Sequence, residues 1–229
     1  MLDTLLDLLK YIVGALLAVG VIALYMRRYI RRERTWPVAA ESLRMQYTRF
    51  DDTPLDAFAG FKTFDASGRR SLANVVTGTH SNARVWLADY RYSDDMAGSS
   101  EYCGFTVCML QRERLKMPHF RLQSRSKPRW SMTQMPILSR PEDDPEVPLD
   151  GEFARMFMLQ TRLADNLRPF IGPEFRERIA EIWKPHIEIE GLGDRLVVTR
   201  RSWIEPADLR QLLDQAISIL DELSRAKWA

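Results

Sequence analysis

Cysteine is scarce in this chain. Two in 229 residues are too few for a disulfide scaffold. An excess of one charge is missing too. Thirty-three Lys and Arg stand against 31 Asp and Glu, a formal net charge of +2, which excludes the strongly basic profile of a dedicated nucleic-acid binder. Catalytic and nucleotide-binding signatures are absent. There is no GxSxG elbow, no Walker loop and no dinucleotide fingerprint. The three histidines, His80, His119 and His186, make no HxH or HxxxH pair. No internal repeat or low-complexity tract occurs. A hydrophobic share of 45% and a charged share of 28% are ordinary for a globular chain and exclude wholesale disorder.

One long apolar run is present, at the N-terminus. Tyr11 to Met26 (YIVGALLAVGVIALYM) carries no charge. With Leu8 and Leu9 added and Lys10 snorkelling to the headgroups, the run reaches about 28 Å as a helix, enough for a single membrane crossing. A cleaved signal peptide fits poorly: Asp3 and Asp7 replace a basic leader, and arginines replace a small-residue cleavage site. Arg27, Arg28, Arg31, Arg32 and Arg34 follow the run, against Lys10 before it. This asymmetry predicts an external N-terminus and a cytoplasmic C-terminal part. Gly14 and Ala18 form one small-xxx-small pair, which is weak support for helix association.

Beyond the anchor, Thr35 and Pro37 predict the start of a short helix through Leu43, with Trp36 at the membrane interface. Met45 to Phe50 reads as a strand. Leu55 to Phe64 has the spacing of one or two helical turns. Leu72–Thr79 and Arg84–Tyr92 around a polar break at His80–Asn82 predict a hairpin. Tyr102–Leu110 is apolar on both alternating faces, as in a central strand covered on both sides. His119–Arg125 is a further strand. Five prolines mark 126–150 as a loop joining two lobes, 35–125 and 151–229. Phe153–Gln160 alternates like a strand. Pro173 opens a helix, and His186–Glu190 with Arg195–Trp203 forms a second hairpin. Leu209, Leu212, Leu213, Ala216, Ile217, Leu220 and Leu223 give the last helix one apolar face.

Together these predict an α+β protein with two parts. A transmembrane anchor with a basic juxtamembrane segment covers 1–34. A cytoplasmic domain covers 35–229, with a mostly antiparallel sheet of about seven strands, packed helices and a long C-terminal helix. A curved sheet or partial barrel closed by the C-terminal helix, as in a pleckstrin-homology fold, is one specific form of this architecture.

Few residues suggest chemistry. Cys103 and Cys108, five apart on one strand, point to opposite faces and read as structural thiols. Their spacing matches no zinc pattern, and no cofactor or metal is expected. His186, Glu188 and Glu190 share a strand face, and alternation with Ile187 and Ile189 reads it as solvated. Asp89 and Arg91 share another and are placed to pair across strands. Basic residues recur from Arg112 to Arg129. On this basis the expected contacts to anionic lipid are Arg27, Arg28, Arg31, Arg32, Arg121, Arg125 and Arg129.

The segments NVVTGTHSNARVWLADYRYSDD, FTVCML and MPHFRLQS, with the ending IEIEGLGDRLVVTRR…EPADLRQLLDQAISIL, resemble a widespread family of uncharacterised bacterial proteins. The resemblance spans most of Ser71 to Leu223. It implies an N-terminal transmembrane helix, one cytoplasmic α+β domain and residence in the bacterial inner membrane. The family has no assigned activity, so no catalytic residue carries over. The functional expectation is a single-pass inner-membrane protein with an interaction or accessory domain, an unidentified protein partner and no nucleic acid. The alternative is a hydrolase or transferase acting on a membrane-associated substrate.

Overall fold

The computed structural model describes residues 2–65, 68–93, 102–125, 144–161, 172–182, 187–200 and 202–225. Helix α1 (Leu2–Leu43) is continuous. The side chains of its apolar stretch lie exposed, as at Leu16, Leu17 and Val21. Its last three turns are buried in the domain through Trp36, Ala40 and Leu43. Pro37 lies inside the helix. It removes one hydrogen bond without ending the element. The end comes at Arg44, which takes a left-handed conformation (φ 57°). Arg44 N–H then donates to the Glu41 carbonyl and Met45 N–H to the Ala40 carbonyl, each at 2.9 Å, the paired closure of a Schellman motif. The sequence expectation of a separate helix from Thr35, with Trp36 at the membrane interface, is therefore corrected: Trp36 is a fully buried core residue.

The strands are β1 (Gln46–Phe50), β2 (Arg70–His80), β3 (Ala83–Ser93), β4 (Tyr102–Gln111), β5 (Met117–Ser124), β6 (Glu146–Val147), β7 (Phe157–Gln160), β8 (Glu188–Gly193) and β9 (Arg195–Thr199). They form one nine-stranded sheet in the order β1-β2-β3-β4-β9-β8-β5-β7-β6. Every pairing is antiparallel. The sheet is larger than the seven strands expected. It has two edges, β1 and β6, that do not pair with each other among the described residues. The β8–β9 hairpin lies between β4 and β5, so residues from both expected lobes share one sheet.

The first hairpin turns on Ser81 and Asn82, both at positive φ, the geometry that matches strand twist in a two-residue connection. Shorter elements are α2 (Thr53–Ala57), α3 (Gly151–Met156), α4 (Pro173–Ile182) and the closing α5 (Leu209–Arg225). The expected strand Phe153–Gln160 is half right. Its first half is α3, where Phe153 packs on Phe157 with ring centroids 4.7 Å apart; alternation over so few residues does not distinguish the two states.

Each face of the sheet has its own core. One face carries α5, the end of α1 and α4, with Cys108, Leu110, Leu213 and Ile217 in the same cluster. The other face is covered by the chain around α2, whose Phe58, Phe61 and Phe64 meet Trp86, Tyr90, Phe105, Val107 and Met109. Strand β4 thus contributes alternate residues to both cores, as its sequence predicts.

Candidate functional site: the helix–domain junction

The densest polar constellation lies where α1 meets the sheet. Its centre is Asp89 on β3, fully buried. Arg32 of α1 donates to both carboxylate oxygens, Nη1 to Oδ2 at 2.5 Å and Nη2 to Oδ1 at 2.7 Å. Asn74 Nδ2 and the Thr106 hydroxyl donate to the same carboxylate at 3.0 and 2.9 Å. Arg32 Nη2 also donates to the Ile204 carbonyl at 2.9 Å. The guanidinium lies between two indoles, Trp36 at 5.4 Å and Trp203 at 5.2 Å. Only 12% of its side chain is exposed. A planar, always-charged group with a donor fork is suited to such a place, whereas a lysine has neither the fork nor the stacking surface.

The backbone is shaped to build this site. β2 changes register between Ala73 and Val76. Asn74, in that interval, has φ 53°, a conformation that asparagine tolerates better than most residues. Its amide reaches Asp89, and its carbonyl oxygen accepts from the Tyr47 hydroxyl at 3.1 Å. A second layer lies outside the first. Glu33 faces Arg49 at 3.5 Å and Arg91 at 3.6 Å. The Tyr29 hydroxyl donates to Glu33 at 2.6 Å, and Arg28 meets Glu205 at 3.1 Å. Burial, with the bond to Glu33, raises the Tyr29 pKa above its ordinary value; burial likewise raises that of Tyr47.

Of the sequence-predicted lipid contacts, Arg27, Arg28 and Arg31 are exposed on α1. Arg32 turns inward to Asp89. Arg121 is 5% exposed and paired with buried Glu188, so neither guanidinium is free for a headgroup. Arg125 pairs with Glu146 and donates to the carbonyls of Ala154 and Phe157. Arg129 lies outside the described residues. Asp89 bonds across strands to Asn74 of β2 and Thr106 of β4 as well as to Arg32 of α1, whereas Arg91 bonds to Tyr29 and Glu33 of α1.

The solvated face expected at Glu188 and Glu190 is a correction of a different kind. Both are buried: Glu190 is held under the chain around α2, and Glu188 is paired with Arg121 of β5. Glu190 accepts from the backbone N–H groups of Lys62 and Thr63 and from the Thr63 hydroxyl, at 2.6 to 2.8 Å. His119 lies 2.9 Å from Glu190 and 3.3 Å from Asp144. This cluster clips the aromatic covering layer onto the sheet. Among the described residues no group of three His, Cys, Asp or Glu is placed to hold a metal ion. Cys108 is fully buried, and burial raises its thiol pKa well above the ordinary range. His186 lies outside the described residues, as does the side chain of Cys103.

The architecture is an α+β domain built on one antiparallel sheet and entered by a long apolar helix. A solved structure is similar in fold: the crystal structure of the mycobacterial trehalose monomycolate transport factor A, TtfA, with a TM-score of 0.53 at 13% identity. The match covers 83% of this chain and 91% of that one. At that identity the likeness is one of fold. No family model matches the chain, and no curated protein does.

Proposed function

We propose that this is a single-pass membrane protein of the bacterial inner membrane, N-terminus outside, whose cytoplasmic domain is a non-catalytic accessory or interaction module. One observation carries the reading: an apolar helix with exposed side chains continues without a break into the domain core and is held there by Arg32 and Asp89. Among the described residues nothing buries the apolar window of this helix, while its end is part of the fold. A domain coupled to the membrane in this way suits a component that positions or senses another membrane protein. The transport-factor name of the fold neighbour supports seeking that partner among membrane transport machinery. The family resemblance drawn from Ser71 to Leu223 is part of the same proposal.

The anionic-lipid contacts proposed for this module are Arg27, Arg28 and Arg31. The domain boundary is proposed to lie before Arg32 rather than at residue 35.

Topology is the first test. A reporter active only in the cytoplasm, fused after Ala229, is active, and the chain resists extraction by alkaline carbonate. Activity from a periplasm-specific reporter at that site overturns the orientation. Cross-linked capture from native membranes returns the same membrane protein with the full chain and not with residues 1–34 alone. Recovery with the anchor alone overturns the role given to the domain.

A further inference from the structure

The bonds between α1 and the sheet fix more than an attachment. Going back along α1 from Arg32 to Tyr29, the partner on β3 moves forward from Asp89 to Arg91. Strand β3 therefore runs toward the apolar end of α1. From Asp89 to Ser93 is about 13 Å of strand, and from Arg32 to Met26 is about 9 Å of helix. Even with the helix oblique to the strands, the end of β3 reaches the level where the apolar run stops. The same level holds Arg69, whose backbone exchanges hydrogen bonds with Ser93, and Glu205, which meets Arg28. Among the described residues Arg27, Arg31 and Arg69 are exposed here with no ion-pair partner.

The opposite end of the sheet is just as well defined. Antiparallel register places Ala83 opposite His80 and Arg84 opposite Gln111, so Arg84, Arg112, Arg114 and Lys116 gather there. Ala83 is about 20 Å along the strand from Asp89. That end lies well beyond the 8–10 Å over which a charged membrane surface acts at physiological ionic strength.

We infer that the sheet stands end-on against the bilayer, and that Arg69 joins Arg27 and Arg31 in a cationic rim that takes anionic phospholipid headgroups. The inference rests on the reading of α1 as a membrane-spanning helix. It moves the lipid-facing surface away from Arg112, Arg114 and Lys116, which lie at the opposite end of the sheet. The rim's partner is the bilayer that holds the chain's own helix: the rim continues the juxtamembrane arginines, and its charge complements anionic lipid, each exposed cation adding about fivefold in affinity.

Photo-crosslinking in vesicles of phosphatidylglycerol and phosphatidylcholine tests it with the full chain. A benzophenone amino acid is placed at position 17, 69 or 114, all exposed. Lipid adducts form at 17 and 69 and not at 114. Adducts at 17 without adducts at 69 leave the membrane span standing and overturn the end-on contact. No adduct at 17 overturns the span and the inference together. Adducts at 114 matching those at 69 overturn the orientation. For lipid class, the purified chain retains phosphatidylglycerol about fivefold or more above its share of the membrane. Arg27→Gln, Arg31→Gln and Arg69→Gln combined bring it to that share. Retention unchanged in the triple variant overturns the anionic rim.

Discussion

Asp89 is the residue on which most of the junction depends. A buried carboxylate is tolerated when a charge partner and enough donors surround it, and here Arg32, Asn74 and Thr106 supply them. Removing one partner of such a pair leaves an uncompensated buried charge and costs about 3–5 kcal/mol. Arg32→Ala and Asp89→Ala are each expected to lose that much by chemical denaturation of the detergent-solubilised chain. The double substitution is expected to cost clearly less than their sum, because neither charge is then stranded. Additive losses would show that the two residues are not coupled. Cys108 offers a simpler check. Its raised pKa and full burial leave almost no thiolate. In a Cys103→Ser variant, a thiol reagent at neutral pH is expected to react only after denaturant is added.

Among the elements, α1 and α5 use apolar residues in opposite ways. The stretch from Tyr11 to Leu24 of α1 is apolar around its circumference and exposed; α5 is apolar on one face, and that face is buried from Leu209 to Leu223. Leu213, fully buried, is expected to lose several kcal/mol on Leu213→Asp, seen as a collapse of the cooperative melt. An unchanged melting temperature would mean that this face is open. The end of α1 is equally part of the core. A chain begun at Thr35 keeps Trp36 but lacks Arg32, so it is expected to melt about 10 °C below one begun at Arg27, from the cost of stranding Asp89 and the entropy of a domain this size. Equal melting temperatures would place the boundary at residue 35 after all. In the covering layer, Glu190→Gln keeps the shape and removes the charge that gathers Lys62 and Thr63. Faster amide exchange at positions 62 and 63 is expected, with α5 unaffected.

For the whole molecule, the junction makes the anchor and the domain one mechanical unit. The sheet carries one core on each face, and α1 enters the first of them. A displacement of the helix is thereby passed to β3 and to the 202–205 segment, not absorbed by a linker. Double spin labels at exposed Arg31 and exposed Arg114 are expected to give one narrow distance distribution. Arg32→Ala is expected to broaden it. A broad distribution in the unaltered chain would mean that the domain swings freely.

The apolar run, the flanking arginines, the hairpin at Ser81–Asn82, the two-faced strand β4 and the amphipathic α5 were legible because each is written in local periodicity or turn chemistry. Neighbouring residues suffice to produce those signals. The sheet order was not legible, since the insertion of β8 and β9 between β4 and β5 depends on contacts between distant segments. The same holds for burial of charge. Nothing local distinguishes Glu190 on a solvated strand from Glu190 under a covering layer, or Arg32 beside lipid from Arg32 between two indoles. Arg32 and Asp89 are 57 positions apart, and only the close approach of α1 to β3 supplies the counter-charge that makes burial of either one favourable. The sequence by itself thus determined where the long apolar helix lies and most of the elements; the tertiary structure decided which charges face water, because desolvation and pairing are properties of what packs against a residue.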